Sequence, residues 1–519
     1  MKKFLCIVLS GLLVFGGTVG CKAAKAPNTA TDIEIIHWAS GYGSNTMSIL
    51  EQEFEKAYPE YNVVINSSAE NNVDDLYLDP QNNTADLYFA SLETRNAYTQ
   101  YLEPLGDFIA NTKPDGESGL TIQQKLGEFA TIARPEDGEI YSLLGVTGSI
   151  TGLFYNYNLF KDENGNQLEE PRTTDELIDV VLEIQNAGQI PFVHYKHYWY
   201  YLHESWVAQY EGLDVFYDMW NGIYTDAQGN RYANDYRAIT ESKGREEAYA
   251  VLEPLLSKLG RTVTSTNNFD HTEAQTNFLN GNGVIMPNGS WVENEMNSSK
   301  KDIDVRLMKT PVLSALGTKL GIDEDQLRIF VDYVDGKTLA ADEQAMVDVV
   351  GQQEVGGQKI VDIIATARSI HYISRPSDIF IPRYSIAKEG ALKFLEFYYK
   401  DSTMKLVQET DQTFSGIKYS VEPNLNTTNW SKFKKQVNGI VKTATLVRTS
   451  MDKKIFYNGG LDKLWTNEHH PIEKLTYSNN SAQMQTAADF WIEEKEYWIE
   501  KWNQICTNAG VTSSQLITD

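Results

Sequence analysis

The stretch His271 to Trp291, HTEAQTNFLNGNGVIMPNGSW, carries three structural instructions in a fixed order. Ala274, Phe278 and Leu279 recur at helical spacing, which predicts a short amphipathic helix. Asn280-Gly281 ends it, because glycine takes the left-handed conformation past a helix C-terminus without steric cost. Val284-Ile285-Met286 is an apolar run of strand length, and Pro287-Asn288-Gly289-Ser290 is expected to break that strand before Trp291. In open α/β sheets, ligands bind beyond the carboxyl ends of the strands. A tryptophan there, beside Asn288 and Ser290, offers a flat apolar face next to hydrogen-bonding groups, the combination a sugar ring requires. The alternative is a core aromatic after a tight turn.

At 519 residues the chain exceeds one ordinary core and implies two large lobes or more. A composition of 41% hydrophobic and 22% charged residues is that of a globular protein. The formal charge of −26 argues against a nucleic-acid partner and against docking on an anionic membrane surface. The 29 tyrosines and 10 tryptophans lean toward flat ligands.

Residues 1–20 read as a signal peptide, with Lys2 and Lys3 before an apolar run from Phe4 to Phe15 that is too short to span a bilayer with ease. Thr18-Val19-Gly20-Cys21 resembles the lipobox of bacterial lipoproteins, except that Thr18 stands where leucine is usual. Cys21 is then the lipidated residue, and 21–32 a lipidated start and flexible tether. Cys6 leaves with the signal, so Cys506 remains without an intrachain disulfide partner.

Ile33 to Trp38 alternates as a strand. Met47, Leu50, Phe54 and Tyr58 share a face of the next helix, which Pro59 ends. Tyr61 to Asn66 and Ala85 to Ala90 are further strands, and this alternation implies a largely parallel sheet. Trp38, Tyr42, Phe89 and Ser91 then fall at or just past strand carboxyl ends. Asp86, inside a strand, needs partners, and capping a nearby backbone group is its plainest role. Asp162, Asn164 and Asn166 alternate as in a calcium loop, but the misplaced glycine and the lack of a glutamate at the twelfth position argue against calcium. Thr173 and Glu176 have capping-box spacing, and Ile190 to Tyr195 reads as a strand. His194 to Trp206, HYKHYWYYLHESW, holds three histidines that fit no zinc spacing, so no metal is expected there. It reads instead as an aromatic groove wall or core. The tail predicts an amphipathic helix through Phe490, Trp491, Trp498 and Trp502, packed on the second lobe.

Gly152 to Phe160 (GLFYNYNLF), followed by Glu170 to Leu177 (EPRTTDEL), resembles the signature of carbohydrate-type solute-binding proteins of bacterial ABC importers, the class of maltose-binding protein. The helix, strand and Asn-Gly-Ser-Trp of 271–291 resemble its next landmark. Ile381 to Ser385, with Lys388 to Phe397, resembles a third. The three occur in the family's order across most of the mature chain.

The resemblance implies an α/β, two-lobed periplasmic-binding-protein (Venus-flytrap) fold with a hinge between the lobes. Its expected division is 33–150 plus 310–405 for lobe 1, with an insertion around 316–375, and 151–309 plus 406–519 for lobe 2. A carbohydrate, by the aromatic count an oligosaccharide, is then held by both lobes, and the closed state is read by the ABC permease transmembrane subunits. Trp38, Tyr42, Phe89 and Ser91 are expected to meet it from the first lobe, and Trp199, Asn288 and Trp291 from the second. No cofactor and no catalysis are expected, and the protein is placed on the extracytoplasmic face of the cell membrane by its lipid anchor. An anchored glycoside hydrolase would need paired carboxylates, and no GxSxG or Walker motif is present. A carbohydrate-binding adhesin or sensor is the third reading.

Overall fold

The computed structural model describes residues 31–38, 45–68, 73, 77–78, 83–90, 92, 98–127, 131–133, 139–296, 303–374, 377–449, 455, 469–478 and 484–518. The signal, Cys21 and the tether before Thr31 lie outside the described residues, as do Tyr42 and Ser91. Two sheets organise two lobes. Counting only their strands, these are β1 (Thr31–Trp38), β2 (Tyr61–Ser68), β3 (Leu87–Ala90), β4 (Thr131–Ala133), β5 (Ile140–Leu144), β6 (Ser149–Asn156), β7 (Ile285–Gly289), β8 (Val305–Leu307), β9 (Ile370–Ser374), β10 (Asp378–Phe380) and β11 (Thr445–Val447). The first sheet has the order β2-β1-β3-β10-β5-β4. β1 pairs in parallel with β2 and β3, but β10 runs antiparallel between β3 and β5 and β4 runs antiparallel to β5, so the sheet is mixed and not the largely parallel one expected from the alternation. The second has the order β8-β6-β9-β11, with β7 also on β6.

Ten helices matter below. They are α1 (Asn45–Ala57), α2 (Thr174–Asn186), α3 (Trp199–Glu211), α4 (Lys243–Leu256), α5 (His271–Leu279), α6 (Val292–Met296), α7 (Lys388–Tyr398), α8 (Asp401–Asp411), α9 (Lys432–Val441) and α10 (Ala487–Ala509). α1, α7 and α8 cover the first sheet through Leu50, Phe54, Phe394 and Met404. The second lobe buries Leu177, Trp199, Trp206, Tyr249 and Leu252 together with Phe490, Trp498 and Trp502 of the C-terminal helix.

Three further expectations are corrected. β7 does not stop before Pro287 but runs through it to Gly289. Leu153, opposite Pro287, turns its carbonyl to Met308 N (2.8 Å) on the other edge of β6. The 153–287 pair is therefore the non-hydrogen-bonded kind, and the missing proline N–H costs the ladder nothing. Ile190 to Tyr195 is not a regular strand, since only Phe192 bridges, to Thr262 and Ile285. The segment 310–374, expected in lobe 1, lies on the second lobe. Its helices Ser314–Leu320, Glu324–Val334, Ala341–Val350 and Ile360–Ser369 make a small core of their own around Leu327, Phe330 and Ile364. Asp332 pairs with Arg172, and Gln209 of α3 accepts from Leu313 N at 2.8 Å, which ties this core to lobe 2. The first lobe resumes at Asp378 and continues past residue 405 to Ile417 and Tyr419.

Among the described residues, three segments link the lobes and are laced together. Gly145 N donates to Ser377 O (3.1 Å), Gly416 N to Val146 O (3.0 Å) and Gly148 N to Phe414 O (3.4 Å). This is a hinge made of neighbouring short crossovers, the arrangement that lets two rigid bodies open and close.

Candidate ligand-binding site

The strand registers locate the cleft. His37 is level with Phe89, and Ala90 faces Asp378, which faces Leu144, the last residue before a crossover. Trp38, one step beyond His37, therefore lies on the hinge-side row of the first sheet. In the second sheet, Ser149 pairs with Ser374 at the crossovers, and Thr151 pairs with Gly289. The end of β7, and with it Trp291, lies on the hinge-side row facing the first lobe.

Beside Trp291 stands a tyrosine wall. Tyr198 meets its ring edge-on at 5.7 Å and Tyr201 at 6.4 Å, while Tyr198 and Tyr201 stack at 5.7 Å. Tyr201 also packs on Tyr372 of β9 at 5.4 Å, and Tyr195 meets Tyr198 at 5.0 Å. Tyr195, Tyr198 and Tyr201 are partly exposed. Gly289 makes room for this arrangement, because a Cβ there would collide with the six-membered ring of Trp291.

The other residues expected at the site divide sharply. Phe89 is 4% exposed and packs on Tyr398 (5.3 Å) and Phe394 (6.3 Å), inside the first core. Trp199 is 0% exposed, against Phe192 (5.2 Å) and His194 (5.9 Å). Both face away from the cleft, because alternate strand residues and residues three or four apart on a helix share the buried side. Asn288 is buried and turns its side-chain oxygen onto Gly289 N at 2.8 Å, so it shapes the turn before Trp291. Trp38 is half-buried at the edge of the first lobe. The chain thus brings Trp291 together with Tyr198 and Tyr201, which sequence reasoning located only as part of an aromatic run, and with Tyr372, for which the short strand HYIS gave no signal. Asp86 accepts from Glu34 N (2.9 Å), Ser385 Oγ (2.7 Å) and Ala387 N (3.1 Å), the capping role expected of it.

A polar group that sequence reasoning missed crosses the lobes beside this wall. Asp411 ends α8 in the first lobe and bonds Thr46 at the start of α1. Burial pushes its carboxyl up to about 7, against the opposing pull of Thr46 and Lys434. Lys434, on α9 of the second lobe, is held below the usual ammonium range by burial, against the field of Glu293 and Asp411. Glu293 follows Trp291 by two residues and accepts from Ser431 Oγ at 3.0 Å, and Ser431 N donates back to Gln412 at 3.1 Å.

The three histidines of 194–206 go separate ways. His194 bonds Asn267 (2.9 Å), His197 meets His470 (3.3 Å), and His203 bonds Glu204 (2.9 Å). Among the described residues no group of three or more His, Cys, Asp or Glu side chains is arranged to hold a metal ion. Asp162 spends its carboxylate on Asn164 N (2.9 Å), Asn166 N (2.7 Å) and Asn166 Nδ2 (2.8 Å), closing its own turn.

Two α/β lobes, three laced crossovers and an aromatic wall at the interlobe edge define a hinged solute receptor. Residues 39–405 match the family described as bacterial extracellular solute-binding protein, and the chain belongs to that family. Its fold is shared by solved structures of low identity. The apo form of RafE from Streptococcus pneumoniae aligns at TM-score 0.53 and 16% identity, over 93% of this chain and 99% of that one. The maltose-bound T. maritima MalE3 aligns at 0.53 and 16%, over 91% and 100%. A chitin oligosaccharide binding protein aligns at 0.54 and 13%, over 91% and 99%. No curated protein sequence matches the chain. Among the described residues no helix is long and apolar enough to cross a membrane.

Proposed function

We propose that this protein captures a carbohydrate, an oligosaccharide of several rings, between its lobes and delivers it to the transmembrane subunits of an ABC importer. It binds and does not turn over its ligand. It is held at the extracytoplasmic face of the cell membrane by lipid on Cys21. The observation that carries the reading is the wall of Trp291, Tyr198 and Tyr201 at the hinge-side edge of the second lobe. Stacked aromatic faces take up the C–H faces of sugar rings, and a run of them suits more than one ring. Trp38 is the first-lobe counterpart, and Tyr42 and Ser91, which follow β1 and β3 in sequence, stay in the proposal. Tyr198 and Tyr201 take the place of Trp199, Phe89 supports the first-lobe edge from behind, and Asn288 orients Trp291. Proteins of the same fold are named for maltose and for chitin oligosaccharide, which supports the ligand class. The shared family supports the importer role.

The test is calorimetric titration of the mature protein with maltotriose, raffinose, chitotriose and xylotriose, with thermal shift and product analysis in parallel. Saturable stabilisation without new reducing ends is the expected result. Sugar cleavage would overturn the binder reading in favour of a glycoside hydrolase. Palmitate labelling that survives Cys21→Ala would overturn the anchor. Binding in cells that import none of the bound sugar would point to an adhesin or sensor.

A further inference from the structure

The wall-bearing helix α3 begins without a designed start. Its N-cap, Tyr198, makes no side-chain capping bond, and no acidic residue lies in its first turn. What fixes it is one turn further in. Glu204 is 0% exposed, and its two oxygens are taken from three sides. Oε2 accepts from Trp220 Nε1 at 3.0 Å, while Oε1 meets His203 Nδ1 at 2.9 Å and Arg245 Nη1 of α4 at 3.3 Å. Arg245, also 0% exposed, donates Nη2 to Glu494 of α10 at 2.5 Å and to Tyr249 OH at 3.0 Å. Trp498 Nε1 adds 3.1 Å to the same Glu494 oxygen. One buried cation therefore joins a carboxylate of α3 to a carboxylate of the C-terminal helix.

Stability alone does not call for this arrangement, since well-packed apolar side chains of similar volume commonly serve as well or better than a buried ionic group. What charges add is direction, because each bond is satisfied at only one rotation of the helix. Rotation matters here. A turn of α3 by about 20° would sweep a tyrosine ring about 8 Å from the axis through roughly 3 Å, more than half the width of a stacked contact. The aromatic path is continuous as well. Trp220, the donor to Glu204, meets Tyr200 at 6.4 Å, Tyr200 meets Tyr372 at 5.7 Å, and Tyr372 packs on Tyr201. Glu494 and Trp498 lie beyond residues 39–405, the span that matches the family.

We propose that Glu494, Arg245 and Glu204 are positioning residues, through which the C-terminal helix fixes the rotation of α3 and thereby sets how Tyr198 and Tyr201 meet the ligand. The proposal rests on the sugar-binding reading for its ligand but has a readout independent of it. Glu494→Gln, which preserves shape, and Trp498→Phe, which removes the indole N–H, are compared with Arg245→Met in the full mature chain at 20 °C. Hydrogen–deuterium exchange over 196–206 should rise at least about 5-fold in Glu494→Gln, while exchange in β1 and β3 of the first lobe stays unchanged. The Kd for whichever of the four trisaccharides binds wild type should weaken at least about 10-fold in Arg245→Met and about 3-fold in Glu494→Gln. In a Tyr201→Ala background the same changes should cost less than about 2-fold. If Tm falls while exchange over 196–206 and Kd stay within 2-fold of wild type, the group is only structural and the proposal is overturned. If Arg245→Met does not fold, Glu494→Gln and Trp498→Phe decide. If wild type binds none of the sugars, the functional reading fails, and the exchange result alone upholds or overturns the positioning role.

Discussion

Helix α3 and the turn before it carry two interleaved faces rich in aromatics that meet opposite fates. Trp199, Leu202, His203 and Trp206 follow one another at helical spacing and are all within 1% of full burial. Tyr198 and Tyr201, offset by one residue, are partly exposed and hold the edge of Trp291. The tryptophans of α3, the larger apolar bodies, go to the core, and Trp291 at the edge keeps only 9% of its surface exposed. A tyrosine keeps its hydroxyl near water and forms the rim. Aromatic density therefore marks this region without marking which rings are free for a ligand.

The hardest attempt to break that division is Trp199→Ala. It should cost about 3–5 kcal/mol of folding stability through the cavity it leaves, with little change in Kd for the protein that remains folded, as denaturant titration and calorimetry would show. A large Kd change without loss of stability would move Trp199 to the ligand face. Trp291→Ala should do the reverse and weaken trisaccharide binding by about 10- to 30-fold, with a smaller fall in Tm than Trp199→Ala. Should the fold collapse instead, Trp291 is core and the wall is misread.

The inner face also makes a pH prediction. His194 is buried beside Trp199, and burial lowers its pKa to about 4 from an ordinary 6.5. A group with a depressed folded pKa gives stability that is present above 6.5 and lost as pH falls toward 4, because the unfolded chain takes up the proton first. Tm should therefore drop between pH 6.5 and pH 4, and His194→Gln should shallow the drop. An unchanged slope would show that His194 is not held neutral by burial. A pH effect of the opposite sign is expected between the lobes. Asp411, pushed up to about 7, gives stability that is complete below its ordinary 3.8 and lost as pH rises through 7. Asp411→Asn should gain Tm relative to wild type as pH rises from 4 to 7, and a parallel pair of Tm curves over that range would count against a buried, proton-holding Asp411.

Much of the local structure was legible in the sequence. Gly281 takes φ of +75° just past the end of α5, as Asn280-Gly281 announced. Thr173 caps α2 by accepting from Glu176 N, although the Glu176 carboxylate reaches back to Arg172 N rather than to Thr173. The strand through Pro287 was not legible, because proline's cost depends on which edge its nitrogen faces, and that is set by the partner strand. Nor was the allegiance of 310–374. Its helices announce an apolar face, and only the meeting of Arg172 with Asp332, and of Gln209 with Leu313 N, assigns that face to the second lobe.

By itself the sequence determined the alternation of strands and helices, their caps, the acidic character and the family. It also marked the neighbourhood of Trp291. Those properties live in spacing and side-chain chemistry a few residues apart. Only the tertiary structure decided that Tyr198 and Tyr201, rather than Trp199, line the edge, and that Asp411, Lys434 and Glu293 draw together across the lobes. Periodicity says which residues share a face, but what that face meets is fixed by contacts between residues hundreds of positions apart.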